Sequence, residues 1–118
     1  MRGLDSPHSS TAVYMMASGQ HGTIYIGVTG HFPKRIAEHR EGLRGGFTHR
    51  YGVKRLVWFE MHDSIVTAIQ REKSLKKYRR EWKANLIERM NPLWADLYPA
   101  LVREEGPFSH LQAPERSL

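Results

Sequence analysis

The chain has 118 residues, no cysteine, 18 Lys+Arg against 12 Asp+Glu, and a pI near 9.9. That length carries one domain with one core, and the missing cysteine excludes disulfide frameworks, cysteine-held zinc, iron–sulfur clusters and thiol catalysis. The net charge of +6 points to a polyanionic partner, and with no apolar run near the ~20 residues that span a bilayer, nucleic acid is preferred to a membrane.

The charge is unevenly placed. Residues 12–98 hold 15 Lys+Arg and 8 Asp+Glu, residues 1–11 are neutral, and residues 99–118 carry 2 basic against 3 acidic. The basic excess thus belongs to the part that patterns as folded. Residues 1–11 are polar, with Pro7 and several serines, and read as a flexible leader without a signal peptide's apolar stretch. A cysteine-free chain held by packing fits the cytoplasm.

Ala12 to Ala17 is a short apolar run, Ser18 to Gly22 a turn cluster, and Thr23 to Val28 a β-branched and aromatic run, together a β-hairpin. Thr29-Gly30 stops the second strand. Pro33 suits a helix's first turn, and Phe32, Ile36 and Leu43 form an apolar stripe that Gly42, Gly45 and Gly46 end. Arg55 to Met61 reads as a third strand, largely apolar and so expected at the centre of the sheet. Asp63 or Ser64 caps a second helix running to about Tyr78, with Ile65, Ala68, Ile69 and Leu75 on one face. A third helix carries Trp82, Leu86 and Met90 at four-residue spacing and ends at Asn91-Pro92. Residues 99–118, with three prolines and a few anchors such as Leu101, Val102 and Phe108, read as a mobile tail. The order ββαβαα defines an α+β fold, a small three-stranded sheet with helices packed against it.

Several residues break their local pattern. With each helical residue advancing 100° from Ile65, Ala68, Ile69 and Leu75 fall at about 300°, 40° and 280°, and Glu72 at about 340°, in the middle of the apolar stripe. A carboxylate there needs a cation, either Arg or Lys in an ion pair or a hard metal ion such as Mg2+. Arg35 and His39 share a face of the first helix; one can stabilise phosphate charge and the other can orient or deprotonate water, although both types are common on solvated helices. The histidines show no HxxxH or HxH spacing, which argues against zinc. Tyr14 and Tyr25 sit in the two hairpin strands. Gly27, inside the second, marks close approach of another backbone or a ligand. Residues 71–83 hold seven basic and two acidic residues with Tyr78 and Trp82 interleaved. This reads as a phosphate track of Lys73, Lys76, Lys77, Arg79, Arg80 and Lys83, or as a solvated helix surface.

Taken together these residues resemble the GIY-YIG endonuclease superfamily, in particular its small single-domain bacterial members and the nuclease domain of the excision-repair endonuclease C subunit. Tyr25-Ile26-Gly27 is the second half of the signature; Ala12-Val13-Tyr14 keeps only the tyrosine of the first, eleven residues earlier. Arg35 and His39 follow at the family's spacing, Glu72 lies on a later helix, and Asn91 stands at the late polar motif. The resemblance covers residues 12–98 and implies the three-stranded antiparallel fold and metal-dependent hydrolysis of DNA, with RNA as an alternative, leaving 5′-phosphate and 3′-hydroxyl ends. It implies that Glu72 holds one Mg2+ or Mn2+, that Tyr25 acts as general base directly or through His39, that Tyr14 binds the water or the phosphate, and that Arg35 stabilises the transition state, with Gly27 and Asn91 supporting. A domain of this size implies selection of a DNA structure in repair or processing, with specificity supplied in part by a protein partner. The alternative is a nucleic-acid-binding module with the nuclease fold and little turnover.

Overall fold

The computed structural model describes residues 10–42 and 50–102. Within them the elements are β1 (Thr11–Ala17), β2 (Ile24–Thr29), α1 (Lys34–Arg40), β3 (Arg55–His62), α2 (Ile65–Lys76), α3 (Arg80–Met90) and a single turn, α4 (Tyr98–Leu101). Leu43, Gly45 and Gly46, the remainder of the leader and residues 103–118 with Phe108 lie outside the described residues.

The sheet is antiparallel throughout and ordered β2-β1-β3. The expectation that the third strand is central is therefore corrected: β1 is central and β3 an edge. The apolar character of β3 has another cause, because Leu56 packs on one side of the sheet and Val57 and Trp58 on the other. A register shift between Met15 and Met16 makes this possible, since Met15 faces Trp58 while Met16 faces Leu56. In β1 every residue from Ala12 to Ala17 is buried. This is the signature of a strand covered on both faces and both edges.

Strand alternation divides the core in two. Val13, Met15 and Ala17 meet Ala68, Leu75, Ile87 and Trp94 beneath α2 and α3. Ala12, Tyr14 and Met16 meet Phe32, Ile36, Val53 and Leu101 on the side of α1 and α4. Of the two candidates Asp63 and Ser64, Ser64 caps α2, its Oγ accepting from the Thr67 amide at 3.1 Å.

Three expectations change here. The inward face of α2 is Ala68 and Leu75, whereas Ile65 and Ile69 are exposed, so Glu72 lies on the shoulder of the buried stripe and not at its centre. On α3 the buried residue is Ile87, with Trp82 and Met90 outside, because Ile87 closes against Leu75 and Trp94. The folded unit also extends past both expected boundaries. Ser10 Oγ donates to the Gly30 carbonyl, Thr11 opens β1, and Leu101 of the supposed tail is buried.

Candidate active site

Tyr14 and Gly27 are direct cross-strand partners, and Tyr25 is the diagonal neighbour two residues along β2 on the same face. The rings of Tyr14 and Tyr25 stand 6.3 Å apart between centroids. A Cβ at position 27 would fall 2.5 Å from Cζ and Oη of Tyr14. The close approach that Gly27 implies is thus made by the protein's own tyrosine ring.

α1 brings the third ring. Its inward residues are Ile36 and His39, and His39 Nε2 lies 2.8 Å from the Tyr14 hydroxyl in a buried hydrogen bond. The His39 ring is also 5.3 Å from that of Tyr25. The side chain of Tyr14 is 1% exposed and that of His39 5%. A proton shared between a phenol and an imidazole away from bulk water is held in fixed geometry, and either group can carry it, depending on the tautomer.

Arg35, half-buried on the same helix, pairs through Nε with Glu38 Oε1 at 3.4 Å. The next anchor was not legible in the sequence. Arg40 pairs with Asp96 Oδ2, donates to the Lys54 carbonyl at 3.3 Å and lies over the Tyr98 ring at 4.6 Å. Asp96 Oδ1 in turn accepts from the amides of Leu56 and Tyr98, each at 3.1 Å. One carboxylate therefore ties the end of α1 to β3 and α4, and with it the position of His39 one residue before Arg40. The only sequence signal is an acid within the run NPLWADLY.

Glu72 belongs to α2, which covers the opposite face of the sheet. Its side chain is 14% exposed and its Oε2 meets Lys76 Nζ at 2.8 Å, while Lys76 is 55% exposed. This is the ion-pair alternative read from the sequence, made by a surface partner that can swing away. Among the described residues no three His, Asp or Glu side chains come together as a metal cage. A single, largely buried carboxylate suits a hard divalent ion that takes its remaining ligands from water and substrate phosphate; it does not suit zinc. The structure thus joins Tyr14, Tyr25 and His39, while Arg35 and Glu72 are each held by a neighbour on their own helix.

Asn91 is buried and fully engaged. Its Nδ2 donates to the carbonyls of Val57 and Ala95 at 3.2 and 2.7 Å, and its Oδ1 accepts from the Ala95 amide at 3.0 Å. It pins the end of α3 to β3. In the basic run, Lys73, Lys76 and Lys77 are exposed on α2 and Lys83 is half-buried on α3. Arg79 is exposed and lies over the Trp82 ring at 5.3 Å. Arg80 donates to the carbonyls of His21 and Gly22 at 2.8 and 2.6 Å, strapping the hairpin loop to the start of α3.

A three-stranded antiparallel sheet carrying a tyrosine on each hairpin strand, followed by a helical arginine and histidine and a later helical glutamate, is the arrangement of a family of nucleases. The chain belongs to the GIY-YIG family: the model of the GIY-YIG catalytic domain matches residues 10–85. Similar chains include the UPF0213 protein of Syntrophus aciditrophicus, 38% identical over 71 residues, which covers 59% of this chain and 80% of that one. That of Haloquadratum walsbyi is 35% identical over 66 residues, 56% of this chain and 74% of its own. That of Clostridium perfringens is 35% identical over 65 residues, 55% and 70%. No solved structure matches. No helix among the described residues is long and apolar enough to cross a membrane.

Proposed function

We propose that this chain is a divalent-metal-dependent endonuclease that hydrolyses DNA phosphodiester bonds, selects a DNA structure more than a sequence, and serves repair or processing in the cytoplasm. The observation that carries this reading is the buried Tyr14–His39 hydrogen bond with the Tyr25 ring packed beside it. Two phenols and an imidazole in contact are apt for moving a proton and are a costly way to build a plain core.

Glu72, whose helix packs on the face away from Tyr14 and His39, would hold Mg2+ or Mn2+ with a substrate phosphate lying at the β2 edge, the strand that carries Tyr25, and the ion, when bound, would supply charge neutralisation and acidify water. The chain's residues do the rest. Tyr25 would take a proton from the attacking water. His39 beside it can share that proton, with its other link to Tyr14 fixing the ring. Tyr14 orients the water or a phosphate oxygen. Arg35, released from Glu38, stabilises charge on the phosphorus oxygens. Asn91 and Gly27 hold the frame.

The self-neutralised state of Arg35 and Glu72 favours a second reading, a nucleic-acid-binding module with little turnover. A substrate panel separates the two. Purified protein is incubated with single-stranded, duplex, nicked, flapped and branched DNA and with RNA, in Mg2+, Mn2+ or EDTA. Metal-dependent cleavage of a subset supports the endonuclease. Binding without cleavage across the panel supports the module, with activity left to a protein partner.

A further inference from the structure

The packing of α3 leaves its largest side chain outside. Trp82 is 48% exposed, although burial of an indole is among the larger stabilising contributions a side chain can make. It is also held in place. The Tyr78 ring meets it edge-on at 5.7 Å and an interplanar angle of 85°, and the Arg79 guanidinium lies over it at 5.3 Å. Tyr78, Trp82, Asn85, Leu86 and Arg89 line a groove of about 360 Å³ along the helix, within the ~300–1,000 Å³ range of small-ligand pockets.

We infer that this groove takes an unpaired nucleobase of a single-stranded or flapped nucleic acid, with Trp82 as the stacking platform. The inference rests on the reading that the chain binds nucleic acid and adds how it tells an open strand from a duplex. The composition of the patch selects this occupant. The Trp82 ring is half-exposed, and Arg79 over it is itself an exposed side chain that a stacking base can displace toward the phosphates. Leu86 and Tyr78 wall it with apolar surface, and the exposed amide of Asn85 can donate to and accept from a base edge. Arg79 over the ring and Arg89 in the groove wall supply cations for the backbone phosphates on either side of the base. A second copy fits poorly, because two-fold pairing would set Arg79 and Arg89 against their own copies. In a duplex the bases are stacked on each other and present no face to Trp82, so the site discriminates without reading sequence.

The test measures binding of the full chain in EDTA, by fluorescence anisotropy, to a labelled short oligothymidylate and to a duplex closed by a base-free hairpin loop at both ends, which leaves no exposed terminal pair. Trp82→Ala should weaken oligothymidylate binding about tenfold, or ~1.4 kcal/mol, as loss of one stacked base does. Duplex binding should change less than about twofold, and Trp82→Phe should retain most single-strand affinity. Oligothymidylate should also quench the intrinsic fluorescence of the wild type, since Trp58 and Trp94 are buried and Trp82 is not. Equal affinities of wild type and Trp82→Ala, equal losses on both ligands, no binding of oligothymidylate at low salt, or a dimer that Trp82→Ala dissociates with no change in strand affinity would each overturn the inference. The endonuclease reading is decided separately by metal-dependent cleavage, so a chain that grips open strands through Trp82 yet never cuts would refute the one and keep the other.

Discussion

Tyr14 and Gly27 face each other across the β1–β2 ladder, and the phenol ring occupies the space that a side chain at position 27 would need. The ring is not free to yield, being buried and hydrogen-bonded to His39. Gly27→Ala should therefore cost about 1–3 kcal/mol through overpacking. It should also pull the Tyr14 hydroxyl away from His39 and depress DNA cleavage more than stability alone explains. Urea unfolding and cleavage assays on the same preparation check both parts.

The Tyr14–His39 bond predicts a coupled pair. Tyr14→Phe should destabilise by about 1–2 kcal/mol, the net worth of a buried hydrogen bond and the desolvation of what it leaves behind. Its effect on cleavage should fall in the ~10²–10⁴-fold range of lost proton-transfer assistance. His39→Ala should act on the same step, so the double variant should lose much less than the product of the two single losses. Independent, multiplicative losses would mean that the bond has no part in the chemistry.

Glu72 separates activity from stability. Its partner Lys76 is an exposed residue one helical turn away, and such pairs contribute about 0.3–0.5 kcal/mol. Lys76→Ala should therefore leave thermal stability almost unchanged. Glu72→Gln keeps the volume and should change the melting temperature by only a few degrees while abolishing metal-dependent cleavage.

Asp96 joins α1, β3 and α4 through Arg40 and two backbone amides. Asp96→Ala strands several donors at once and should cost more than about 2 kcal/mol, given ~1.5–3 for a hydrogen bond to a charged group. Asp96→Asn keeps one amide acceptor and should cost less. Both should reduce cleavage through displacement of His39, seen as loss of structure at the end of α1 in amide exchange.

The basic residues should divide by salt dependence. Lys73→Ala and Lys77→Ala should each flatten the slope of log affinity against log salt by about one. Arg80→Ala removes a strap on the hairpin loop and should register chiefly as lost stability.

How much of this was legible in the sequence varies by element, for physical reasons. The two hairpin strands and a cap at Asp63 or Ser64 are local and appear as read. So do the tyrosine pair and the helical spacing of Arg35 and His39. The order of strands is not a local property, because an apolar strand such as Arg55–His62 can be buried by helices as well as by neighbouring strands. On α2 and α3 two apolar edges compete, and tertiary packing buries Leu75 in place of Ile69 and Ile87 in place of Trp82. The Arg40–Asp96 tie spans 56 residues, and no local pattern announces it. Gly27 is a point of close approach, and the approaching group is the chain's own Tyr14.

The most direct test is single-turnover cleavage of a flapped or single-stranded DNA in Mg2+ by wild type and Glu72→Ala, purified side by side. The metal-holding role of Glu72 predicts that the wild type leaves 5′-phosphate and 3′-hydroxyl ends and that Glu72→Ala and EDTA each abolish the cut. Equal cleavage by wild type and Glu72→Ala would contradict it.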